Sequence, residues 1–418
     1  MTPLRYSDIA IIGGGVVGLA IAERLAAEGR EVTLIDPNPP AETISQNAAS
    51  YGNAGTIADY AILPVGTPDV LRNLPSLLFD KTSPLAIRRA ALPSLLPWLM
   101  RFALQSLPGP AERNARTIAA LMAEACPDWL ALGTRLGGGD ILKKRGCLYV
   151  YETAAAFRAA EKDMAFRRSL GVTVDLIDAS TLRQMEPALP EVEGGAAFFP
   201  KAVFLNDPGR MVGLLQAEVA ARAETVTARV ESLERQGDGI LLTGPGLRLK
   251  AARVVIAAGA HSRRLAAQAG DRIPLDTERG YHVEWDMPTP PVTRPTCPTS
   301  RGFYLCPMDG RLRVAGTVEL GGLTAPPSPH RIAKLVEGAK QIFPDLPAPS
   351  RDWMGFRPSI PDSVPVIGPS RAGAEVIHAF GHGHLGVSLA PVTARIVADL
   401  IAKRPPHMDL APLSPARF

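Results

Sequence analysis

Three glycines near the N-terminus constrain the fold of this chain more than any other feature. They are Gly13, Gly15 and Gly18, and they follow an apolar run that ends at Ile12. Helix-forming residues come next, so the pattern predicts a buried strand, a tight turn and a helix. Such a turn lets a pyrophosphate approach the backbone at the helix N-terminus, where the peptide dipoles favour negative charge.

An acidic residue at the end of the second predicted strand agrees with this interpretation. Asp36 closes an apolar run at residues 32–35, at the distance of about 20 residues that is typical of dinucleotide-binding folds. A carboxylate there accepts hydrogen bonds from ribose hydroxyls and repels a 2′-phosphate. The sequence therefore predicts an adenine dinucleotide other than NADP at the carboxyl edge of a parallel sheet.

Composition excludes several other classes of protein. The chain has 418 residues, enough for two or three domains. Its formal net charge is only +4 and it has no block of Lys or Arg, so we expect no nucleic-acid partner. The four cysteines lack the spacing of a metal site or a disulfide framework, which favours a reducing compartment and no bound metal. We also expect no signal peptide and no transmembrane span.

α/β patterns occur at both ends of the chain and enclose β-rich material. The predicted strand at residues 252–260 resembles the opening strand in composition, and another strand and helix follow near the C-terminus. We therefore expect an α/β protein in which a Rossmann-type nucleotide-binding domain carries an inserted α+β domain on a mixed antiparallel sheet. The expected division gives residues 1–85, 201–272 and 351–418 to the nucleotide-binding domain and residues 86–200 and 273–350 to the inserted domain.

Seven segments spread over nearly the whole chain also occur together in one known family. They are IIGGGVVGLAIAERLAAEG, ASYGNAG, VVIAAGAHS, RGYHVEW, FYLCPMDGRLRVAGTVE, GFRPSIPDSVPVIGPS and FGHGHLGVSLAPVTARIVADLI. On these segments the chain resembles the D-amino-acid oxidase superfamily of FAD-dependent amine oxidoreductases, in particular the bacterial D-amino-acid dehydrogenases and glycine oxidases. The resemblance implies a glutathione-reductase-like FAD-binding fold. It also implies noncovalent FAD, since no cysteine follows Cys306.

The resemblance assigns the cofactor mainly to backbone groups and small residues. The loop at 381–386 would lie beside the pyrimidine side of the flavin, where N–H groups and a helix N-terminus stabilise negative charge on the reduced ring. Residues 50–55 would wrap the flavin phosphates and ring. The expected cofactor-binding residues are Gly13, Gly15, Val16, Val17, Gly18, Asp36, Pro37, Ser50, Asn53, Ala54, Gly55, Val230, Ala258, Gly259, Gly381, Gly383, His384, Leu385 and Gly386.

The resemblance also implies a substrate site. In glycine oxidases the arginine of the GFRPS motif pairs with the amino-acid carboxylate, which gives this role to Arg357, and a guanidinium matches a carboxylate with two parallel hydrogen bonds. Tyr304 would donate to the same carboxylate. Tyr281 and His282 would line the site, and His384 would add a polar contact. The alternatives are an arginine held by a neighbouring acid, tyrosines packed in the core, and a histidine that caps the last helix.

The expected reaction is hydride transfer from the substrate Cα to flavin N5, which leaves an imino acid that hydrolyses to a 2-oxo acid. Such a reaction depends on holding the Cα–H against the ring more than on a strong base. The expected substrate is a D-amino acid, or a D-imino or N-substituted amino acid, with electrons passed to a quinone or another acceptor. Two alternatives stay open: a sarcosine- or glycine-type oxidase that forms peroxide, and the flavin subunit of a heteromeric opine or hydroxyproline oxidoreductase.

Residues 85–107 raise the question of a membrane partner. They combine apolar side chains with Arg88, Arg89 and Arg101, a composition that suits a helix lying in a bilayer interface. The alternative is a pair of helices, broken at prolines, that packs on the inserted domain. The expected partners are thus the amino-acid substrate, a membrane or respiratory-chain acceptor, and a second copy or another subunit. The expected location is the cytoplasm or the inner face of the cytoplasmic membrane.

Overall fold

The computed structural model describes residues 2–38, 48–73 and 85–418, and in these residues the strands form three sheets. The strands are β1 (Arg5–Ile12), β2 (Val32–Asp36), β3 (Thr56–Ile57), β4 (Leu85–Ile87), β5 (Leu142–Lys143), β6 (Cys147–Tyr151), β7 (Asp175–Asp178), β8 (Gly195–Phe199), β9 (Val203–Leu205), β10 (Glu224–Thr227), β11 (Ser232–Gln236), β12 (Gly239–Gly244), β13 (Leu247–Ile256), β14 (Asp276–Asp286), β15 (Thr296–Pro298), β16 (Phe303–Met308), β17 (Arg311–Leu320), β18 (Arg351–Ser359), β19 (Val366–Ser370) and β20 (Gly373–Phe380). The helices are α1 (Val16–Ala27), α2 (Pro68–Arg72), α3 (Leu92–Gln105), α4 (Pro108–Met122), α5 (Ala125–Arg135), α6 (Ala154–Ser169), α7 (Ala179–Met185), α8 (Pro208–Arg222), α9 (Ser262–Gln268), α10 (Pro329–Ile342) and α11 (Gly386–Ala402).

The first sheet has a parallel core in the order β10-β2-β1-β13-β20. β19 extends it antiparallel to β20, and the hairpin of β11 and β12 pairs with the N-terminal half of β13. Ile9, Ile11 and Val255 in the central strands are fully buried, as expected for parallel strands covered on both faces. The predicted Rossmann-type domain, assembled from discontinuous segments, is confirmed.

Helices α1 and α11 pack against each other beside this sheet. Among the described residues, one helical stretch, Gly383–Ala402, is long and apolar enough to suit a membrane span, but 72% of its most apolar window is buried inside the protein. Its apolar character is therefore explained by its place in the core.

The second sheet has the order β18-β14-β17-β16-β15-β6-β8-β7, with β4 on the side of β17. Most of its pairs are antiparallel, and β15–β6 and β17–β4 are parallel, so the predicted mixed antiparallel sheet is confirmed.

One predicted boundary needs correction. β18 pairs with β14 along its whole length, from Asp276↔Ser359 to Glu284↔Arg351. The chain therefore returns to the first sheet after Ser359 and not at residue 351; the other boundaries stay predictions.

The carboxyl ends of the parallel strands bring distant parts of the sequence to one edge of the first sheet. Gly13 follows β1, Asp36 ends β2, Ala258 and Gly259 follow β13, and Gly381 follows β20. This edge is where open α/β sheets bind their ligands. The topology therefore gathers the predicted cofactor segments in one place.

Two glycines let α1 approach this edge closely. A Cβ at Gly18 would lie 1.9 Å from the carbonyl oxygen of Gly13, which is main chain and cannot rotate away. Gly13 has a φ of +115°, and a Cβ there would lie 2.5 Å from the carbonyl oxygen of Ala257. The absence of both side chains therefore places the N-terminus of α1 directly at the strand ends.

We expect Gly18→Ala to lower the free energy of unfolding by about 1–3 kcal/mol, the usual cost of overpacking a dense interior. Gly109→Ala in α4 is the matched control, because a Cβ there meets no atom within 4 Å and alanine is worth up to about 1 kcal/mol more than glycine in a helix. Thermal and denaturant unfolding measure both variants. A Gly18→Ala protein as stable as wild type would contradict the close contact of α1 with β1.

Candidate active site

A large cavity lies between the carboxyl edge of the first sheet and one face of the second sheet. Its volume is about 1740 Å³, whereas typical small-molecule sites measure roughly 300–1,000 Å³. The cavity therefore has room for an extended dinucleotide together with a second small molecule.

Most of the predicted cofactor residues line this cavity. They are Gly13, Gly15, Val16, Val17, Asp36, Pro37, Ser50, Asn53, Ala54, Val230, Ala258, Gly259, Gly383, His384, Leu385 and Gly386. The described lining does not include Gly18, Gly55 or Gly381, and their contact with the cofactor stays a prediction. Gly55 and Gly381 have φ of +78° and +85°, and a Cβ at either would collide with Leu205 or Ile360. These three glycines shape the backbone next to the cavity.

The glycine turn and the N-terminus of α1 form the end of the cavity suited to phosphate. The Val16 N–H donates to Ser50 Oγ at 3.1 Å, and the Gly14 N–H donates to Asp36 Oδ2 at 2.6 Å. Asp36 Oδ1 accepts from the Asn38 backbone at 2.8 Å. Asp36 thus fixes the turn, and the role of its carboxylate toward a ribose stays a prediction.

The main chain that lines the cavity leaves space for an adenine dinucleotide. Gly259 and Gly383 line it, and a Cβ at either would meet no atom within 4 Å. α11 begins at Gly386, so the positive end of a second helix dipole lies at the cavity. Thr56 Oγ1 and Gln216 Oε1, on two lining residues, are buried polar atoms without a hydrogen-bond partner among the described residues. A bound polar group would satisfy such atoms.

Arg357 presents a nearly unpartnered cation to the cavity. Its guanidinium lies over Gly280 of β14, where a Cβ would be 2.4 Å from Arg357 Cζ. Its Nη1 donates to the Thr317 carbonyl oxygen at 3.3 Å, and no carboxylate of the described residues forms an ion pair with it. Glu278 of β14 is the strand partner of Arg357, but its carboxylate accepts a hydrogen bond from the Ser359 hydroxyl at 2.7 Å. Burial lowers the pKa of Arg357, and Glu278 raises it; an arginine stays charged in either case.

Thr317 supplies the carbonyl that meets Arg357. Its φ is +58°, a conformation rare for a β-branched residue that costs of order 1–3 kcal/mol. It lies where the register of β17 against β14 shifts, next to Tyr281. Its buried hydroxyl has no hydrogen-bond partner in the described part of the chain. Sequence analysis missed Thr317 because the irregularity arises only when the two strands pair.

The predicted tyrosines differ in what their hydroxyls can reach. Tyr304 donates to the Tyr149 hydroxyl at 2.9 Å, and both residues line the cavity. Burial raises the pKa of both, so both stay protonated at neutral pH. Tyr281 also lines the cavity, but its hydroxyl donates to Glu319 at 2.7 Å and accepts from the Ser328 N–H. Tyr149, which sequence analysis did not single out, therefore offers a donor beside Tyr304, and the Tyr281 hydroxyl is already engaged.

His384 faces the cavity, whereas its neighbour His382 is part of the core. His384 is exposed to the cavity and is neutral at neutral pH, because the surrounding protein lowers its pKa to about 4 and the charge of Arg357 acts in the same direction. His382 is 2% exposed, and its Nε2 lies 2.9 Å from the Thr393 hydroxyl. The position of His384 thus allows the predicted polar contact.

His282 is a correction to the sequence interpretation. It is 1% exposed, lies outside the described cavity lining, and its Nδ1 is 3.1 Å from the Gly52 carbonyl oxygen. Because a carbonyl can only accept, Nδ1 carries the proton. Burial, and then Arg313, lower the pKa of His282 to about 3. The neutral ring stacks on Trp353 at 5.1 Å between centroids. His282 therefore supports the cavity wall from outside the described lining.

The second sheet holds the loop at residues 51–53 through three consecutive carbonyl groups. Arg313 donates to the first at 3.3 Å and also to the third, and His282 donates to the second. A Cβ at Gly52 would lie 2.1 Å from the Trp353 ring. Only glycine therefore allows the loop to lie against this ring.

Glu284 holds Arg313 in place. It accepts from Arg313 Nε at 2.7 Å, Arg311 Nε at 3.1 Å and Arg351 Nη1 at 2.9 Å. Burial raises the pKa of Glu284, but Arg313 and Arg351 outweigh it and hold the pKa at about 2. The carboxylate is therefore ionised throughout the physiological range and fixes the arginine that holds the loop.

The pKa of His282 predicts a pH-dependent stability. The folded protein protonates His282 near pH 3, but the unfolded chain does so near pH 6.5. The contribution of the neutral ring is therefore complete above the unfolded pKa and is lost as the pH falls toward 3. His282→Asn keeps an N–H donor for the loop and removes this titration. Between about pH 7 and about pH 4, its free energy of unfolding should fall by roughly 3 kcal/mol less than that of wild type.

Urea unfolding at several pH values measures this difference. His330→Asn is the matched control, because His330 is an exposed residue at the start of α10. Parallel pH profiles for wild type and His282→Asn would contradict the assignment of a buried neutral imidazole.

The fold and the cavity define a class of flavoprotein. The DAO model, described as FAD dependent oxidoreductase, matches residues 8–400, and the chain belongs to this family. The protein is thus an FAD-dependent oxidoreductase, and FAD is the group that the glycine turn, Ser50 and the N-terminus of α11 would hold. No cysteine is found among the described residues that line the cavity, and noncovalent attachment stays a prediction.

Individual relatives span nearly the whole chain. A D-amino-acid oxidase from Bradyrhizobium diazoefficiens is 34% identical over 421 residues, which cover 98% of each protein. A protein named D-amino acid dehydrogenase 2 from Ralstonia nicotianae is 31% identical over 98% of this chain and 100% of its own length. The crystal structure of glycine oxidase from Geobacillus kaustophilus matches with a TM-score of 0.77 at 25% identity, over 99% of both chains.

Proposed function

We propose that this protein oxidises a D-amino acid, or a D-imino or N-substituted amino acid, whose carboxylate binds Arg357. The observation that carries the proposal is a half-buried guanidinium that faces the cofactor cavity with one long hydrogen bond of 3.3 Å to the chain. A charge that is partly withdrawn from water favours a partner of opposite charge, and a substrate carboxylate supplies that partner. Relatives named for D-amino-acid oxidation support the same class of substrate.

The chain binds and orients the substrate through a small set of groups. Arg357 offers two parallel N–H donors to the carboxylate. Tyr149 and Tyr304, which line the same cavity, stay protonated and offer a hydroxyl donor to the substrate. The neutral His384 ring adds a polar contact without adding a second positive charge. The substrate is thereby held by its acid group, and its Cα is directed into the cavity.

When bound, FAD supplies a ring that accepts a hydride from the substrate Cα. The chain needs no strong base for this reaction, and with a pKa of about 4 His384 is a weak one. The amine proton therefore passes to water, and the imino acid is hydrolysed to a 2-oxo acid after release. The contribution of the chain is to hold the reacting atoms at near-contact distance, which alone accounts for large rate gains.

The electron acceptor in this proposal is a quinone or another carrier. The second candidate is a sarcosine- or glycine-type oxidase that reduces O₂ to peroxide, and the likeness to a glycine oxidase structure favours it. A flavin subunit that relies on a partner for its substrate site is less favoured, because this chain presents its own Arg357 at the cavity.

Arg357→Ala should reduce kcat/KM for the best substrate by roughly 100-fold or more, since two charge-assisted hydrogen bonds of about 1.5–3 kcal/mol each are lost. FAD content should not change. Arg357→Lys keeps the charge but not the paired geometry, so it should recover only part of the activity. Arg248→Ala, at an exposed arginine on β13, is the matched control. Full activity in Arg357→Ala would refute the substrate site.

Anaerobic bleaching of the flavin absorbance tests the class of substrate. We expect D-amino acids to bleach it, whereas their L enantiomers and NADH do not. Re-oxidation in air then compares peroxide yield with reduction of a quinone analogue. Abundant peroxide would contradict a quinone acceptor and support the oxidase candidate. Bleaching by NADH alone would contradict amino-acid oxidation.

A further inference from the structure

Helix α3 exposes a row of apolar side chains along one face. Leu92, Leu96, Met100 and Leu104 follow one another at four-residue spacing, and Leu107 continues the row just beyond the helix. Their exposed fractions are 43%, 57%, 62%, 62% and 42%. Seven large apolar side chains are strongly exposed among the described residues, and five of them form this apolar row. Such clustering marks an interaction surface, whereas scattered exposed apolar residues do not.

The opposite face of α3 is already used. Leu95, Trp98 and Phe102 are buried there and pack with Leu320 of the second sheet. The Trp98 indole N–H also donates to the Ser359 carbonyl oxygen at 3.4 Å. The helix continues through Pro97, so the predicted break is wrong, whereas the predicted packing on the inserted sheet is confirmed. The apolar row therefore cannot be buried by turning the helix over.

The charges around the apolar row indicate which kind of surface it meets. Residues 88–111 contain Arg88, Arg89 and Arg101 but no Asp or Glu. Arg88 forms an ion pair with Glu319 and donates a hydrogen bond to the Pro326 carbonyl oxygen. Arg101 is exposed beside the row, and no ion pair of the described residues includes it. An aliphatic row with an exposed arginine beside it, in a segment that contains no acid, is complementary to anionic lipid.

The aromatic side chains of α3 argue against a protein partner. Trp98 and Phe102 both face the core, so the exposed row is made of leucine and methionine alone. Stable protein interfaces are enriched in aromatic anchors. Leucine, which makes up most of the row, is one of the side chains that interfacial helices insert among acyl chains.

The buried face of α3 contacts a residue that lines the cavity. Val65 lines the cavity and packs against the buried residues of α3, and the exposed Leu323 lines the cavity next to Gly322.

We propose that the apolar row of α3, with Arg101 at its edge, docks on an anionic lipid bilayer. The helix lies along the interface, with its leucines among the acyl chains and the arginine at the lipid phosphates, and it does not span the membrane. This surface is separate from the amino-acid reaction, so its test measures lipid binding and not turnover.

The test is flotation of FAD-loaded protein with vesicles. One set of vesicles contains phosphatidylcholine and phosphatidylglycerol in equal parts, and the other contains phosphatidylcholine alone. We expect wild type to float with the anionic vesicles and much less with the neutral ones. The triple variant Leu96→Gln, Met100→Gln, Leu104→Gln should lower the partition coefficient by at least roughly 100-fold, since each buried side chain contributes about tenfold.

Two single variants separate the contributions. Tyr6→Gln is the matched control, because Tyr6 is 69% exposed on β1 and lies outside the apolar row; it should float like wild type. Arg101→Gln should weaken binding to anionic vesicles and reduce its dependence on salt. FAD content and thermal unfolding confirm that each variant is folded.

A tryptophan within the apolar row locates the contact. Leu96→Trp should show emission that is quenched by brominated acyl chains in anionic vesicles. Failure of wild type to float, equal flotation of the triple variant, or an unquenched Trp at position 96 would overturn the proposal. A vesicle-free dimer of wild type that the triple variant abolishes would also overturn it, because the apolar row would then be a contact between two copies.

Discussion

The half-buried charge of Arg357 is the constraint around which the cavity face of the second sheet is built. The guanidinium lies over Gly280, whose hydrogen side chain is the largest that fits, and it donates to a carbonyl of Thr317 in a strained conformation. The nearest acidic neighbour, Glu278, is bonded to a serine hydroxyl. The protein thus places the charge at a cavity, half-buried, and provides little to neutralise it. This arrangement favours a bound anion, because a charge partly withdrawn from water is costly to leave without a partner.

A second constraint sets where the cavity wall stands. Glu284 fixes Arg313, and Arg313 together with His282 holds three consecutive carbonyls of the loop at residues 51–53. That loop follows β2 of the first sheet, whereas the clamping side chains belong to the second sheet. The two sheets are therefore joined at the cofactor cavity by charged and neutral hydrogen bonds. The pKa values of about 2 and about 3 for Glu284 and His282 mean that this joint does not titrate at physiological pH.

The parts of the site that sequence predicts are those carried by local pattern. The strand, turn and helix around Gly13, the acid at Asp36 and the loop before α11 all follow from short stretches, and parallel strand topology then brings them to one edge. The side of the cavity formed by the second sheet was harder to predict. His282 and Tyr281 are adjacent in sequence but face opposite sides of β14, and neither places a free polar group in the cavity.

Other contributors depend on contacts between distant strands. Thr317 owes its conformation to a register shift of β17 against β14, and Tyr149 reaches Tyr304 only because the intervening strands of the second sheet bring both to one cavity. The exposure of the apolar row of α3 could not be predicted from composition. A helix that buries one apolar face and exposes another has much the same composition as a helix that buries both faces. Only the packing of Trp98 and Phe102 inward shows that the leucines remain outside.

The most direct test of this account is an experimental structure of the FAD-loaded protein with benzoate, a carboxylate that carries no amine to oxidise. The account predicts both benzoate oxygens within about 2.7–2.9 Å of the Arg357 guanidinium nitrogens, with a tyrosine hydroxyl on the same carboxylate. A benzoate bound elsewhere in the cavity, with Arg357 still bonded to Thr317 alone, would contradict it.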